Sequence, residues 1–119
     1  MENQYAGYDG LQNVLSLALA QAAAGKGAER HARERAFEDQ PIMMISEMLQ
    51  TPDGLRYQAI KKIQESQRMP TDRAVQELLG AINYIAATVM YIKRHAEAAV
   101  AEPAQKSAPA PAIKIKTGK

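Results

Sequence analysis

Apolar residues recur at helical spacing in four stretches, each set off from the next by glycine or proline. In the first, Leu11, Leu15, Ala18, Leu19 and Ala22 share one face, and Val14 and Leu17 widen it. Asp9 suits its N-cap, and Gly25, followed by Gly27, ends it near Ala24. The second opens on Pro41 at the first helical position, with Asp39 or Gln40 as cap and Glu38 favouring its positive end, and covers Ile42 to about Gln50. The third opens on Thr51 as cap, with Pro52 and Asp53 behind it, and runs to about Gln67. Its spacing predicts Leu55, Ala59, Ile60 and Ile63 inward and Arg56, Lys61, Lys62, Glu65 and Arg68 outward or toward a partner. Pro70 stops it, and Thr71 or Asp72 caps a fourth and longest helix.

The fourth helix carries two stripes. Val75, Leu78, Ile82, Ile85, Val89 and Ile92 alternate spacings of three and four, a heptad seam. Beside it, Gly80, Tyr84, Ala87 and Tyr91 alternate small and aromatic residues. One stripe is expected to be the chain's own core; the other, over the small residues, would receive a symmetric partner helix. That reading assigns Gly80, Tyr84, Ala87 and Tyr91 to an oligomer interface. The alternative is that helices one and three cover both stripes.

The predicted fold is therefore all-α, a compact bundle of about four helices with a long C-terminal helix. It occupies residues 9–100, after a flexible arm at 1–8 in which Tyr5 and Tyr8 are docking points, and before a disordered basic tail at 101–119. In that Ala/Pro/Lys tail Ile113 and Ile115 alternate with Lys114 and Lys116, which suits a solubilising extension or a short strand added to a partner.

Composition narrows the chemistry. At 119 residues there is room for one domain, and with no Trp and one Phe its core must come from aliphatic residues, Met and Tyr. The absence of cysteine excludes disulfides, thiol catalysis and thiolate metal sites and fits a reducing interior. No basic segment leads into an apolar one at the N-terminus, and Gln76, Glu77 and Asn83 interrupt the longest apolar run, so the expectation is a cytoplasmic protein without a membrane span. Of the net charge of +2, residues 1–100 contribute 11 Lys/Arg against 12 Asp/Glu, and the tail four Lys against one Glu. A neutral globular part argues against nucleic acid as partner.

Two places invite chemistry. The connector around Lys26 lacks the order of a Walker loop, but Lys26, Arg30, His31, Arg33 and Arg35 lie close together beside two glycines and suit a phosphate or an acidic surface. A solvated basic loop with Glu29 and Glu34 as partners is the plainer reading. In helices three and four, Lys61, Lys62 and Arg68 would rim, and Asn83 and Tyr84 floor, a ligand pocket; a purely structural polar network is the alternative. Two histidines, His31 and His95, out of register with each other, argue against a metal site, and Ser16, Ser46, Ser66 and Ser107 show no nucleophile's surroundings.

The succession "ERHA", "QPI", "QAIKKIQESQR" and "DRAVQELLGAINYI" over residues 29–86 resembles the small phage-encoded SaV-like helical family, which includes a phage nucleotide kinase. By that resemblance His31, Gln40, Pro41, Ile42, Ile60, Lys61, Arg68, Asp72 and Tyr84 are the equivalents of the family's motif residues, while Ala32, Lys62 and Gly80 depart from it. Two functions follow as expectations. One is a phage or prophage-type protein that binds a nucleotide or another phosphorylated ligand, by sequestration or by phosphotransfer. Transfer would require Mg2+, for which Asp39, Glu65 and Asp72 are the candidate carboxylates. The other is a non-enzymatic oligomeric interaction protein or an inhibitor of a host or defence complex. Both anticipate a homo-oligomer.

Overall fold

Proline sets the joints of this molecule. A computed structural model describes residues 4–24 and 36–101 as α1 (Asp9–Ala24), a 3-10 turn (Phe37–Asp39), α2 (Pro41–Leu49), α3 (Asp53–Ser66) and α4 (Thr71–Ala101). The protein is all-α, with no strand among the described residues. Lys26, Arg30, His31, Arg33 and Arg35 of the connector, and the tail, lie outside those residues.

Local chemistry explains each boundary. Residues 4–7 form a turn closed by the Tyr8 N–H on the Tyr5 carbonyl (3.0 Å), and the Tyr8 carbonyl accepts the Gln12 N–H as α1 begins (2.9 Å). Pro41 occupies the first turn of α2, where its missing N–H costs nothing, and the Gln40 carbonyl accepts from Met43 and Met44. Thr51 Oγ1 accepts the Asp53 N–H at 3.2 Å, as a cap at the head of α3 should. α3 unwinds through three tight bonds, from the N–H groups of Gln67, Arg68 and Met69, and the Pro70 carbonyl starts α4 by accepting from Ala74 at 2.8 Å.

Both α1 and α3 run antiparallel to α4. Leu55 near the start of α3 meets Ala87 and Tyr91, whereas Lys62 reaches back to Glu77 and Gly80. Likewise Ala18 of α1 meets Asn83, and Gln21 meets Gln76. The 3-10 turn and α2 close the end nearest Tyr91. There the core forms from Met43, Leu55, Ala87 and Tyr91, with Phe37, Ile42, Tyr84 and Met90 packed on it. The chain's only Phe therefore anchors the point where the connector re-enters the fold.

The packing overturns two expectations, on α4 and on α3. Gly80, Tyr84, Ala87 and Tyr91 are not an oligomer interface: Gly80, Ala87 and Tyr91 are buried, and Tyr84 half-buried, under the chain's own helices. On α3, Leu55 and Ala59 point inward as expected, but Ile60 and Ile63 are exposed and Lys62 is half-buried. On α1 only Ala18 is buried, and Leu11, Leu15 and Leu19 remain exposed. Close helix crossings form where both backbones can approach, so Ala18, Ala59, Gly80, Ala81 and Ala87 are buried and, apart from Leu55 and Leu79, the leucines, isoleucines and valines of α1, α3 and α4 are not.

Candidate functional site

Gly80 marks the place where both flanking helices reach α4. A Cβ there would stand 3.3 Å from Lys62 Cδ of α3 and 3.5 Å from Gln21 Oε1 of α1. Around it the polar residues satisfy one another. Asn83 Nδ2 donates to the Ala18 carbonyl at 3.0 Å, and Gln21 Nε2 donates to the Gln76 carbonyl at 3.0 Å and to its side-chain oxygen at 3.1 Å. Lys62 Nζ lies 3.6 Å from Glu77 Oε2 and 5.8 Å from the centre of the Tyr84 ring, within reach of the ring's negative face.

Of the residues expected to form a ligand pocket, Lys62, Asn83 and Tyr84 do come together. Lys61 does not join them. It lies on the exposed side of α3 and pairs with Glu65 at 3.9 Å, and Arg68 is exposed in the turn that follows. What the three make is a polar joint that keys α1 and α3 onto α4: the stem of Lys62 against Gly80, its ammonium between Glu77 and the Tyr84 ring, and side-chain amides bridging α1 and α4. Asp39, Glu65 and Asp72 sit on the 3-10 turn, late in α3 and in the first turn of α4; no group of three potential metal-binding side chains occurs among the described residues. Ser46 and Ser66, both buried, donate to the Ile42 and Ile63 carbonyls of their own helices.

The joint yields a prediction. Lys62 can shift its flexible stem by a few tenths of an ångström, so Gly80→Ala should gain the helix propensity of alanine, about 0.5–1 kcal/mol, and raise Tm by a few degrees. Gly80→Leu should lower it by expelling α1 or Lys62. Thermal melts followed by circular dichroism decide both; a Tm lowered by alanine would mean that Lys62 is locked in place.

A second polar cluster, invisible in the sequence, holds α2 to α4. Glu47 accepts from Arg94 Nη1 at 2.9 Å, and its carboxylate lies 2.9 Å from His95 Nε2. The His95 ring stacks on Tyr91 with centroids 4.1 Å apart. Burial, and secondly the Glu47 carboxylate, push the Tyr91 phenol above its ordinary value of 10. Above pH 10 the unfolded chain sheds this proton while the folded chain retains it. Stability owed to this group is therefore complete below pH 10 and is lost as pH rises through the folded value. Tyr91→Phe should flatten the alkaline fall in Tm above pH 10; an unchanged slope would show that Tyr91 is not its source.

A regular apolar surface lies on the opposite side of α4. The heptad seam, which the sequence allowed to be the internal core, is bare: Val75 is 44%, Leu78 40%, Ile85 49%, Val89 50% and Ile92 46% exposed, with Ile82 half-buried between them. From Ala74 to Ile92 this face carries no charge, and Glu77, the one charged residue in that span, turns toward α3. By length and composition alone α4 is apolar enough to cross a membrane, contrary to the expectation from its polar interruptions. Soluble core helices satisfy the same criterion, and Glu77 and Asn83 are engaged by α3 and α1.

Comparison of the chain with protein-family models, with curated proteins and with solved structures finds no match to any of them.

Proposed function

We propose that this chain is a non-enzymatic interaction protein that acts as a homo-oligomer, with the bare heptad face of α4 as its main contact. The observation that carries this reading is the seam itself. Five large aliphatic side chains, each at least 40% exposed, repeat at a and d positions on a 31-residue helix whose other side is already packed. An apolar stripe of that regularity marks an association surface. Sedimentation velocity over a range of concentrations tests it: a species of at least twice the chain mass is expected at about 10 µM, an ordinary affinity range for such contacts. A monomer up to tenfold higher concentration would remove the reading.

A second reading is supported by the convergence of Lys62, Asn83 and Tyr84 around Gly80. It is binding of a nucleotide or another phosphorylated ligand in a helical protein of phage type, with Lys26, Arg30 and His31 of the connector as further cations. Lys62 and Asn83 would then have to exchange Glu77 and the Ala18 carbonyl for the ligand. A thermal-shift panel of nucleoside phosphates and cyclic nucleotides, with and without Mg2+, tests it. A binder at a hundredfold excess over its Kd stabilises the fold by about 2.7 kcal/mol. No shift across the panel, with a dimer in the centrifuge, would leave the interaction protein alone.

A further inference from the structure

We infer that two copies of this chain pair their α4 helices antiparallel, in a register that sets Val75 of one copy against Ile92 of the other. The inference rests on the self-association proposed above and specifies its partner, its direction and its register.

With Val75, Ile82 and Val89 at a, and Leu78, Ile85 and Ile92 at d, an antiparallel pair stacks a against d. Laid on this helix, that rule gives layers of Val75 with Ile92, Leu78 with Val89 and Ile82 with Ile85, each occurring twice about the two-fold axis. The numbers of the two residues sum to 167 in every layer, so a single register satisfies the whole stripe. The stripe is covered from end to end, about 25 Å at 1.5 Å per residue, with nothing left over at either end. Such a contact uses the same patch on both copies and closes on itself.

Charge selects this direction. Asp72 and Lys93 are the charged residues at e, the position beside d, and they stand at opposite ends of the bare face. Both are exposed and neither has an ion-pair partner among the described residues. In the antiparallel register e faces e, and Asp72 of each copy comes opposite Lys93 of the other, so two ion pairs close the two ends. A parallel pair would instead gather both Asp72 carboxylates at one end and both Lys93 ammonium groups at the other. In that arrangement e faces g, so Lys93 would lie opposite Thr88 of the other copy and both Asp72–Lys93 ion pairs would be lost. The opposite side of α4, which carries α1 and α3, faces away from the partner in this arrangement.

The cysteine-free chain makes the test direct. Val75→Cys and Ile92→Cys proteins, one carrying a mass tag, are mixed, equilibrated and mildly oxidised. The mixed disulfide is expected, with little product from either variant alone, because each cysteine and its own copy would be separated by about 25 Å along the axis. Self-linkage of each variant without the mixed product would overturn the antiparallel direction. A dimer in the centrifuge that gives no disulfide would overturn the register and leave self-association standing; a monomer in the centrifuge would overturn both. Charge reversal gives an independent measure. Asp72→Lys should weaken the dimer about fivefold, the yield of two exposed ion pairs, and Asp72→Lys with Lys93→Asp should restore it. A double variant no tighter than the single one would overturn the pairing of these two residues.

Discussion

Replacing Leu55 with alanine is expected to cost about 3 kcal/mol, a third or more of the stability of an ordinary small domain. Leu55 and Met43 are the only large side chains fully buried in the described fold, and Leu55 fills the space where α2, α3 and α4 meet. Removing its side-chain methyl groups leaves a cavity against Ala87 and Tyr91, and a core of so few large residues has little to collapse into it. Chemical denaturation should show an earlier midpoint with an unchanged slope. Ile60→Ala, five residues further along the same helix, provides the contrast. At 66% exposure it should change stability by less than about 1 kcal/mol. Equal losses at the two positions would mean that Ile60 is covered in solution, which would point to an association surface on α3 as well.

Ile85→Glu should abolish the proposed α4 pairing while leaving the chain folded. Ile85 lies next to the middle of the bare stripe, 49% exposed in the single chain, so a carboxylate there remains hydrated in the monomer. In an α4 pair the same carboxylate would be stripped of water opposite an isoleucine, and twice over by symmetry. Burying an unpaired charge costs several kcal/mol, so the dissociation constant should rise by about a hundredfold or more. Sedimentation reads the loss, and far-ultraviolet circular dichroism establishes that helix content is kept. Unfolding of Ile85→Glu as a monomer would show instead that the α4 seam is covered within the chain.

The breaks between helices were legible because proline and glycine act locally. Pro41, Pro52 and Pro70 punctuate the chain at the joints of the fold, and a reader needs nothing beyond a few residues on either side to place them. The facing of α4 was not legible from α4 alone. Both of its stripes have helical period, and the choice between them is made by α3, whose Leu55 and Ala59 fit the alternation of Ala87 with Tyr84 and Tyr91. Lys62 misled for a related reason: its charge belongs at the surface, but its stem covers Gly80 while the ammonium finds Glu77 and the Tyr84 ring. Glu47 gave no signal, since its partners Arg94 and His95 lie 47 and 48 residues away. Of the pocket read in the sequence, Lys62, Asn83 and Tyr84 do gather near Gly80, but Asn83 turns to α1 and Tyr84 to Lys62 of α3, so they lie on two sides of one joint.

The way α1 is attached has a consequence for the order of assembly. α3 and α4 follow each other across a few residues at Pro70, so their contacts close a short loop, whereas the hydrogen bonds from the Gln21 amide to Gln76 and from the Asn83 amide to Ala18 join residues 55 and 65 positions apart. Local contacts form before distant ones, so the α3–α4 hairpin is expected to nucleate the fold and α1 to dock afterwards. Weakening the joint at Asn83 should accordingly speed unfolding and leave the refolding rate nearly unchanged, whereas shortening Leu55 should slow refolding itself.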